Sequence, residues 1–260
     1  MEMATLDVEN LYGNIAHDVG LEAVNFWLEK IQRDTTRITN DFILEGVQLI
    51  LENNVFYFNG QHYRQIRGTA MGTKMAPIYA TLTLGYLETK LYDSIFNDYG
   101  RNVYNNFINS YFRYLDDILI LFDRRSLSIE TIDILLNNLC PELNFKLEMV
   151  GDEVNILYIK VLKLNNVLET DIYAKSTDTK QYLNFYSNHP RPVKRALPYN
   201  LSRRICTIVF NTSTKLTRLK ELKCHLLKRN YPSGLIDDGI KKAVTYDRKT
   251  LLLPKVKNPV

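Results

Sequence analysis

Two adjacent aspartates, Asp116 and Asp117, interrupt the strongly apolar segment SYFRYLDDILILFD at residues 110–123. The aromatic and β-branched residues on either side predict two strands, and the carboxylates then lie at the turn that joins them. Paired like charges beside apolar residues are costly unless a cation neutralises them, although tight turns at a surface tolerate aspartate. The segment therefore predicts a β-hairpin whose tip is either solvated or a ligand set for a hard cation such as Mg²⁺.

A third carboxylate would complete a two-metal site, in which ions about 3.5–4 Å apart activate a hydroxyl and stabilise a leaving phosphate. Asp7 is the first candidate, because it follows apolar Leu6 at the end of a predicted strand and precedes a turn. Glu9 and Asp18 are weaker candidates. Aspartates at strand ends are also common without any metal, so spacing alone leaves the third ligand open.

Charge is unevenly distributed along the 260 residues. Residues 175–260 hold 19 Lys and Arg against 5 Asp and Glu, whereas residues 1–174 hold 14 against 24. A basic C-terminal third favours a polyanion partner, although a merely solvated basic surface has the same composition.

The sequence contains no secretory signal and no apolar run long enough to span a bilayer. Its three cysteines, Cys140, Cys206 and Cys224, lie far apart without metal spacing, which is typical of a reducing compartment. We therefore expect a soluble, intracellular protein that is not secreted and has no membrane partner.

Hydrophobic periodicity and turn residues predict a mixture of helices and strands. A first strand ends near Asp7, a hairpin at 54–66 turns at Asn59-Gly60, and residues 143–175 form two or three strands with turns at Gly151-Asp152 and Asn165-Asn166. Helices are predicted at 20–33, 39–54, 77–96 and 129–139 and, after Pro198, at 201–210, 213–230 and 234–246.

Three blocks of the sequence stand in the order of the palm motifs A, B and C of reverse transcriptases. LDVENLYGNI (6–15) resembles motif A, QIRGTAMGTKMAP (65–77) resembles motif B, and FRYLDDILI (112–120) resembles motif C. The amino-acid sequences of these blocks most resemble the corresponding motifs of Penelope-like retroelements. Residues 170–206 resemble the segment after the palm in those elements, which leads into a basic region sometimes described as a helix-turn-helix.

The resemblance implies a role for each matching residue. Asp7, Asp116 and Asp117 would be the catalytic residues and would bind two Mg²⁺ ions, or Mn²⁺ in their place. Tyr12 would exclude a ribose 2′-hydroxyl and so favour dNTPs, although a core aromatic is the alternative. Arg67, Gly68 and Gln65 would bind the nucleotide, with the glycine allowing close backbone approach. Lys146 or Lys160 would donate a proton to the leaving pyrophosphate.

The basic region would hold the phosphates of a primer–template duplex without reading its sequence. The residues expected to do so are Lys194, Arg195, Arg203, Arg204, Lys215 and Arg218, with Lys220 and Lys223 along the same helix. A base-reading helix-turn-helix stays open, and neither His189 nor His225 has a partner at metal-ligand spacing.

The implied fold class is α+β: an antiparallel reverse-transcriptase palm sheet with packed helices, followed by a basic, mostly helical thumb-like module. We expect the palm, with motifs A to E, at residues 1–185 and the basic module at 186–260. Within the block VNILYIKV, Ile156 and Tyr158 replace the aromatic and the aspartate usual in the family.

The implied function is that of an RNA-directed DNA polymerase, with dNTPs and a primed RNA or DNA template as partners and, by family, a nuclear location. Only six residues precede Asp7, so the fingers subdomain would be supplied elsewhere or the chain would be a truncated copy. The alternative is an inactive nucleic-acid-binding relic that uses the basic module. A structural or protein-interaction domain is a third, weakly supported possibility.

Overall fold

The computed structural model describes residues 1–31 and 38–253. Gln32 and Arg33, at the end of the helix predicted at 20–33, lie outside the described residues, as does the last part of the basic region from 254 onward. The chain divides into two compact units, Met1–Gly151 and Asp152–Val260.

The first unit combines a four-stranded sheet, a separate hairpin and helices. Its strands are β1 (Glu2–Val8), β2 (Val55–Phe58), β3 (Gln61–Arg64), β4 (Tyr111–Tyr114), β5 (Asp117–Phe122) and β6 (Phe145–Gly151). Its helices are α1 (Leu11–Asn14), α2 (His17–Lys30), α3 (Asn40–Glu52), α4 (Ala76–Ile108) and α5 (Ile129–Asn137). The strand order of the sheet is β4-β5-β1-β6, and every neighbouring pair is antiparallel.

The burial of each strand follows its place in this sheet. In β5, Ile118, Ile120 and Phe122 are buried and alternate with half-buried residues, as expected for a strand with one face on the core. The central strand β1 is buried almost throughout, and α4 places Leu84, Leu87 and other residues of one face in the same core. The antiparallel sheet and packed helices that were predicted are confirmed.

The structure adds detail to the predicted hairpin and to the predicted long helix of the first unit. The hairpin at Asn59-Gly60 is confirmed, and its two turn residues have φ values of 48° and 80°, the positive values with which a two-residue turn matches the right-handed twist of the strands. Helix α4 continues well beyond the predicted end at 96, with a kink at Gly100, where φ is 82°. Glycine reaches that conformation without a Cβ clash, so the chain resumes its helix after the kink.

The second unit contains a three-stranded antiparallel sheet and four described helices. They are β7 (Glu153–Ile156), β8 (Ile159–Leu164), β9 (Val167–Ile172), α6 (Arg191–Ile208), α7 (Thr212–Leu227), α8 (Ser233–Val244) and α9 (Arg248–Leu252). Residues 143–175 thus hold four strands rather than two or three. The additional turn places Leu157 at φ 52°, a conformation that leucine does not signal in a sequence.

Helix α6 begins at Arg191, ten residues before the predicted start, and contains Pro198. The sequence predicted a helix only after Pro198, from residue 201, and a proline inside a helix removes one helical hydrogen bond. In the structure Pro198 is buried against α8, where a Cβ on Gly239 would lie 3.0 Å from Pro198 Cβ and 2.8 Å from the Tyr199 nitrogen. Close packing against α8 therefore outweighs the local cost of the proline.

The compact units divide between Gly151 and Asp152, whereas the predicted domains divide at 185/186, where the charge changes. Strands β7–β9 share a unit with the basic helices, and Thr170 of β9 accepts a hydrogen bond from the Phe210 nitrogen on its carbonyl oxygen at 2.8 Å. No helix in the described ranges is both long and apolar enough to cross a bilayer.

Candidate functional site

The aspartate pair lies at the predicted hairpin tip. Tyr114 pairs with Asp117 across β4 and β5, which leaves Leu115 and Asp116 as the two turn residues. The Val8 nitrogen donates to the Asp116 carbonyl oxygen at 3.2 Å, so the turn is also fixed to the end of β1. The hairpin is confirmed, with Asp116 in the turn and Asp117 as the first residue of β5.

Asp7 lies directly opposite Asp117 in the register of β1 and β5. Residues directly opposite in an antiparallel pair project on the same face, with Cβ atoms about 4.5–5.5 Å apart. The three predicted carboxylate residues therefore lie at the same end of the sheet. Among residues 1–31 and 38–253, however, no three His, Cys, Asp or Glu side chains are grouped closely enough to hold a metal ion as they stand.

Charge at this end of the sheet disfavours an ionised Asp7. Burial, followed by the negative charges of Asp116, Glu148 and Glu9, raises the pKa of the Asp7 carboxyl, and Lys146 partly opposes them. A cation beside these carboxylates would favour the ionised form, and its binding would release a proton from any Asp7 that is protonated. Carboxylate oxygens are also the type of ligand that a hard divalent ion prefers.

Lys146 lies next to Asp7 on the other side of β1, because the register of β6 pairs the two residues. Its Nζ is 3.3 Å from Glu9 Oε1. Hydrogen bonds from Asn144 and then Lys146 hold the pKa of Glu9 below its usual value. The other predicted proton donor, Lys160, lies in β8 of the second unit and is ion-paired with Glu153. The structure thus places Lys146 beside Asp7.

The glycine loop is bonded to the segment that follows β1. The Thr69 nitrogen donates to the Tyr12 carbonyl oxygen at 2.7 Å, and His17 Nε2 donates to the Gly68 carbonyl oxygen at 2.8 Å. Gly68 has φ 70°, and a Cβ there would lie 2.4 Å from the Tyr12 oxygen and 2.6 Å from the Gly13 oxygen. Glycine is required here because the two backbones approach too closely for a side chain.

The remaining predicted nucleotide ligands lie on the same loop or on α1. Tyr12 is half-buried against the core of the first unit, so its ring packs there as a core aromatic would. Arg67 is exposed, and its carbonyl oxygen accepts a hydrogen bond from Gln65 Nε2 at 2.7 Å. His17 was not predicted from the sequence, because no spacing signal distinguishes it from an ordinary polar residue.

The basic residues of the second unit are not equivalent. Arg195 and Arg204 are exposed, Arg203 and Lys215 are half-buried, and Lys194 Nζ donates to the Ser187 carbonyl oxygen at 2.7 Å. The Arg204 guanidinium lies 4.4 Å from the centre of the Tyr158 ring.

Arg218 has carboxylate partners within the protein. It donates to both oxygens of Asp171, at 3.1 and 2.7 Å, and its Nη1 contacts Glu221 at 3.0 Å. Burial alone would raise the pKa of Asp171, but the hydrogen bonds from Arg218 and the Ile172 nitrogen, with the positive charges of Arg218 and Lys160, together outweigh it and leave the pKa below its usual value. Arg218 therefore joins α7 to β9.

A known domain family matches part of the second unit. The family model, described as the animal helix-turn-helix domain, covers residues 181–241, which hold α6, α7 and most of α8. No curated protein matches the chain.

Several solved polymerase structures are similar to the chain. Telomerase from Candida albicans, in a complex with a fragment of telomeric RNA, has a TM-score of 0.60 and 11% identity over 95% of this chain and 40% of its own. The Sicinivirus RNA-dependent RNA polymerase 3Dpol has a TM-score of 0.55 and 16% identity over 94% and 52%. Apo telomerase from Candida tropicalis has a TM-score of 0.53 and 13% identity over 94% of this chain and 42% of its own.

The chain thus spans about two fifths to one half of the length of these polymerases. At such identities the likeness concerns the fold alone. The fold is that of a nucleic-acid polymerase: an antiparallel palm sheet with packed helices, followed by a helical region.

Proposed function

We propose that the chain is the palm and thumb-like region of the RNA-directed DNA polymerase of a Penelope-like retroelement. It would join dNTPs to the 3′-hydroxyl of a primer. The observation that carries the proposal is the strand register, which places Asp7 opposite Asp117 and next to the turn residue Asp116 at one end of an antiparallel sheet. A nuclear location would follow if the product is copied into chromosomes.

The three carboxylates would hold two Mg²⁺ ions, or Mn²⁺, as hard oxygen ligands. When bound, the ions would activate the primer hydroxyl and stabilise charge on the leaving phosphate. Lys146 is placed to donate a proton to the departing pyrophosphate, since it pairs with Asp7 in the sheet and its side chain is 62% exposed.

Selection of the nucleotide would fall to the loop that contacts α1. The Thr69–Tyr12 hydrogen bond fixes the Tyr12 backbone against this loop, and Tyr12 would exclude a 2′-hydroxyl. Exposed Arg67 would contact the triphosphate, and Gln65 would hold the Arg67 backbone in place through its hydrogen bond. Gly68 would keep the loop in close contact with α1.

The nucleic-acid partner would be a primed RNA or DNA template. A related fold, that of the Candida albicans telomerase, is in a complex with RNA. The exposed side chains of Arg195 and Arg204 would bind duplex phosphates, with help from Lys194, Arg203 and Lys215.

Primer extension on poly(rA)/oligo(dT) with Mg²⁺ tests the proposal. The chain would be assayed alone and with the fingers segment of a Penelope-like element joined before Met1. We expect extension in at least one form and a loss of more than about 100-fold in Asp116→Asn, because a ligand contributes more than the outer partners whose loss costs 10–100-fold. Asp98→Asn, at an exposed position on α4, is the matched control.

A second candidate is a nucleic-acid-binding module without polymerase activity. The helix-turn-helix match at 181–241 favours it. Duplex binding without extension in either form would exclude the polymerase and support this candidate. Extension that survives Asp116→Asn would contradict the assignment of the carboxylates.

A further inference from the structure

A buried ion pair lies directly behind the turn that carries the aspartates. Arg113 of β4 donates through Nε and Nη2 to the two carboxylate oxygens of Glu88 on α4, at 2.5 and 2.9 Å. The side chains of Arg113 and Glu88 are only 10% and 16% exposed. Two parallel hydrogen bonds to one carboxylate fix the plane and direction of the guanidinium.

The remaining arm of this guanidinium reaches the turn. Arg113 Nη1 donates to the Leu115 carbonyl oxygen at 3.2 Å. Leu115 has φ 55°, in the left-handed region that glycine or asparagine normally occupies, and a residue with a branched side chain adopts it only when its surroundings impose it. Asp116 is the next residue, so the direction of its side chain depends on the conformation of Leu115.

Two hydrogen bonds thus hold the turn, one on each side. The Val8 nitrogen donates to the Asp116 carbonyl oxygen, and Arg113 donates to the Leu115 carbonyl oxygen. The first comes from the backbone of β1 and is independent of side-chain identity. The second depends on Arg113 and, through it, on Glu88.

We propose that Arg113 and Glu88 form a clamp that holds Leu115 in its left-handed conformation and so positions Asp116 and Asp117 for metal binding. Both are positioning residues, since neither reaches the carboxylate cluster. The inference rests on the proposed function, because it takes the two aspartates to be metal ligands. It adds that α4, through Glu88, fixes the geometry of the hairpin tip.

The guanidinium remains charged in this setting. Burial alone would lower the pKa of Arg113, but the hydrogen bonds and charge of Glu88, with smaller contributions from Tyr111 and Tyr92, outweigh it and raise the pKa. The positive charge of Arg113 therefore persists across the pH range in which polymerases are assayed.

The test compares Arg113→Lys and Glu88→Gln with the wild type. Lysine keeps the charge but cannot bind Glu88 through two parallel bonds and reach Leu115 as well. We expect the Mg²⁺ concentration for half-maximal primer extension to rise about 10–100-fold, the range typical when a partner that orients a metal ligand is removed. The Michaelis constant for primer–template should not change.

The matched control is Arg124→Lys. Arg124 also binds a carboxylate, that of Glu2 at 2.9 Å, but at the opposite end of the sheet from the aspartates. An equal rise in the Mg²⁺ requirement of this variant would overturn the clamp, because a general response of the sheet would then explain the effect.

A rescue experiment separates positioning from general stability. Asparagine adopts left-handed backbone more readily than leucine does. Adding Leu115→Asn to Arg113→Lys should restore most of the Mg²⁺ affinity, while Leu115→Asn alone should leave it near the wild-type value. Absence of any rescue would contradict a role through Leu115.

Amide hydrogen exchange gives a readout that needs no activity. A peptide covering residues 110–118 should exchange at least about tenfold faster in Arg113→Lys, without a matching change in the centre of β1. Unchanged exchange at residues 110–118 in Arg113→Lys would overturn the clamp, whatever the primer-extension assay shows. A wild type that binds duplex but does not extend primers refutes the polymerase, and the clamp is then judged by exchange alone.

Glu88→Gln leaves the buried charge of Arg113 without its partner, and Arg113→Lys weakens the buried pair, so either variant can fail to fold. Arg113→Met combined with Glu88→Leu removes both charges and is better tolerated for that reason. This folded double variant should show the same faster exchange at residues 110–118. Wild-type exchange in it would overturn the proposal.

Discussion

At the scale of single residues, the candidate site works against the stability of the sheet. Asp7 and Asp117 face each other in the register, and like charges directly opposite in an antiparallel pair are destabilising. Burial, together with the negative charges of Asp116, Glu148 and Glu9, raises the pKa of Asp7. The proposed binding of a cation would account for this arrangement, which packing alone does not explain.

Replacing Asp7 by asparagine should therefore stabilise the metal-free protein. At pH 7 we expect Asp7→Asn to raise the free energy of unfolding by a few tenths to about 1 kcal/mol, the range for cross-strand pairs. Because the folded state raises the pKa of Asp7, the folded protein prefers the protonated form. The stability gained by Asp7→Asn is therefore complete above the pKa that Asp7 has in the folded protein. It disappears as the pH falls through that pKa towards about pH 3.

Urea unfolding at pH 7 and pH 3 measures this difference, with Asp98→Asn as a control that should show none. Mg²⁺ should stabilise the wild type at pH 7 and stabilise Asp7→Asn less, since the variant lacks one anionic ligand. A variant that is less stable than the wild type at pH 7 would show that Asp7 has a structural partner that outweighs its charged neighbours.

At the scale of elements, α6 and α7 present cationic side chains with different partners. Arg195 and Arg204 of α6 are exposed, whereas Arg218 of α7 is bound to Asp171 and Glu221. A phosphate can be held by the first two without breaking an existing ion pair. Binding by Arg218 would leave the carboxylate of Asp171, a buried residue, without its main partner.

Combined Arg195→Gln and Arg204→Gln should weaken binding of a primer–template duplex and flatten its salt dependence. The slope of log K against log salt should fall by about 0.9 for each phosphate that the variant no longer neutralises. Arg218→Gln should leave the slope unchanged but lower the free energy of unfolding by about 1–3 kcal/mol, because it removes hydrogen bonds to a carboxylate. Fluorescence anisotropy over a salt series measures the slopes.

A slope that falls equally in Arg218→Gln would mean that the ion pair with Asp171 opens when duplex binds. A wild-type slope in the α6 double variant would instead move the duplex-binding surface away from that helix. The two outcomes are distinct, because only the first is accompanied by loss of stability.

Elements whose signal is local could be predicted from the sequence. Asn59-Gly60 predicts its hairpin by turn chemistry, and the aromatic and β-prone apolar runs on either side of Asp116-Asp117 predict theirs. Leu157 gave no such signal, so the turn between β7 and β8 was missed. The start of α6 was predicted too late, because the helix around Pro198 is stabilised by contact with Gly239, far along the chain.

The residues of the candidate site also fall into two groups, those that the sequence predicts and those that it does not. Asp7, Asp116, Asp117 and Gly68 could be predicted as site residues because short motifs carry them. The partners of Arg113 and Arg218 could not be found, since Glu88 and Asp171 are distant in sequence and only packing brings each pair together. Sequence identifies the groups that could react, whereas long-range pairing determines how they are held.

At the scale of the whole molecule, each compact unit has a core of its own. One core gathers residues from β1, β5, α4 and their neighbours, and the other gathers residues from α6, α7 and α8. Their charges differ as well, since the excess of basic residues lies at 175–260. Two separate cores imply that the units can lose their structure independently and respond differently to a polyanion.

The chain provides one natural reporter for each unit. Its single tryptophan, Trp27, lies in the first unit, where Nε1 donates to the Leu82 carbonyl oxygen at 2.9 Å. Cys224 on α7 is exposed, while Cys140 and Cys206 are buried, so a thiol-reactive dye added under native conditions should label Cys224 alone. Trp27 fluorescence and the dye therefore follow the two units separately.

We expect the two reporters to give non-coincident urea unfolding curves. Primer–template duplex at 100 times its dissociation constant should stabilise the unit that carries Cys224 by about 2.7 kcal/mol. The Trp27 curve should move less, because the duplex is expected to bind the basic helices, and the combined Arg195→Gln and Arg204→Gln variant should reduce the shift of the dye curve. Coincident curves that shift together with duplex would show that the two cores unfold as one cooperative unit, in spite of their separate packing.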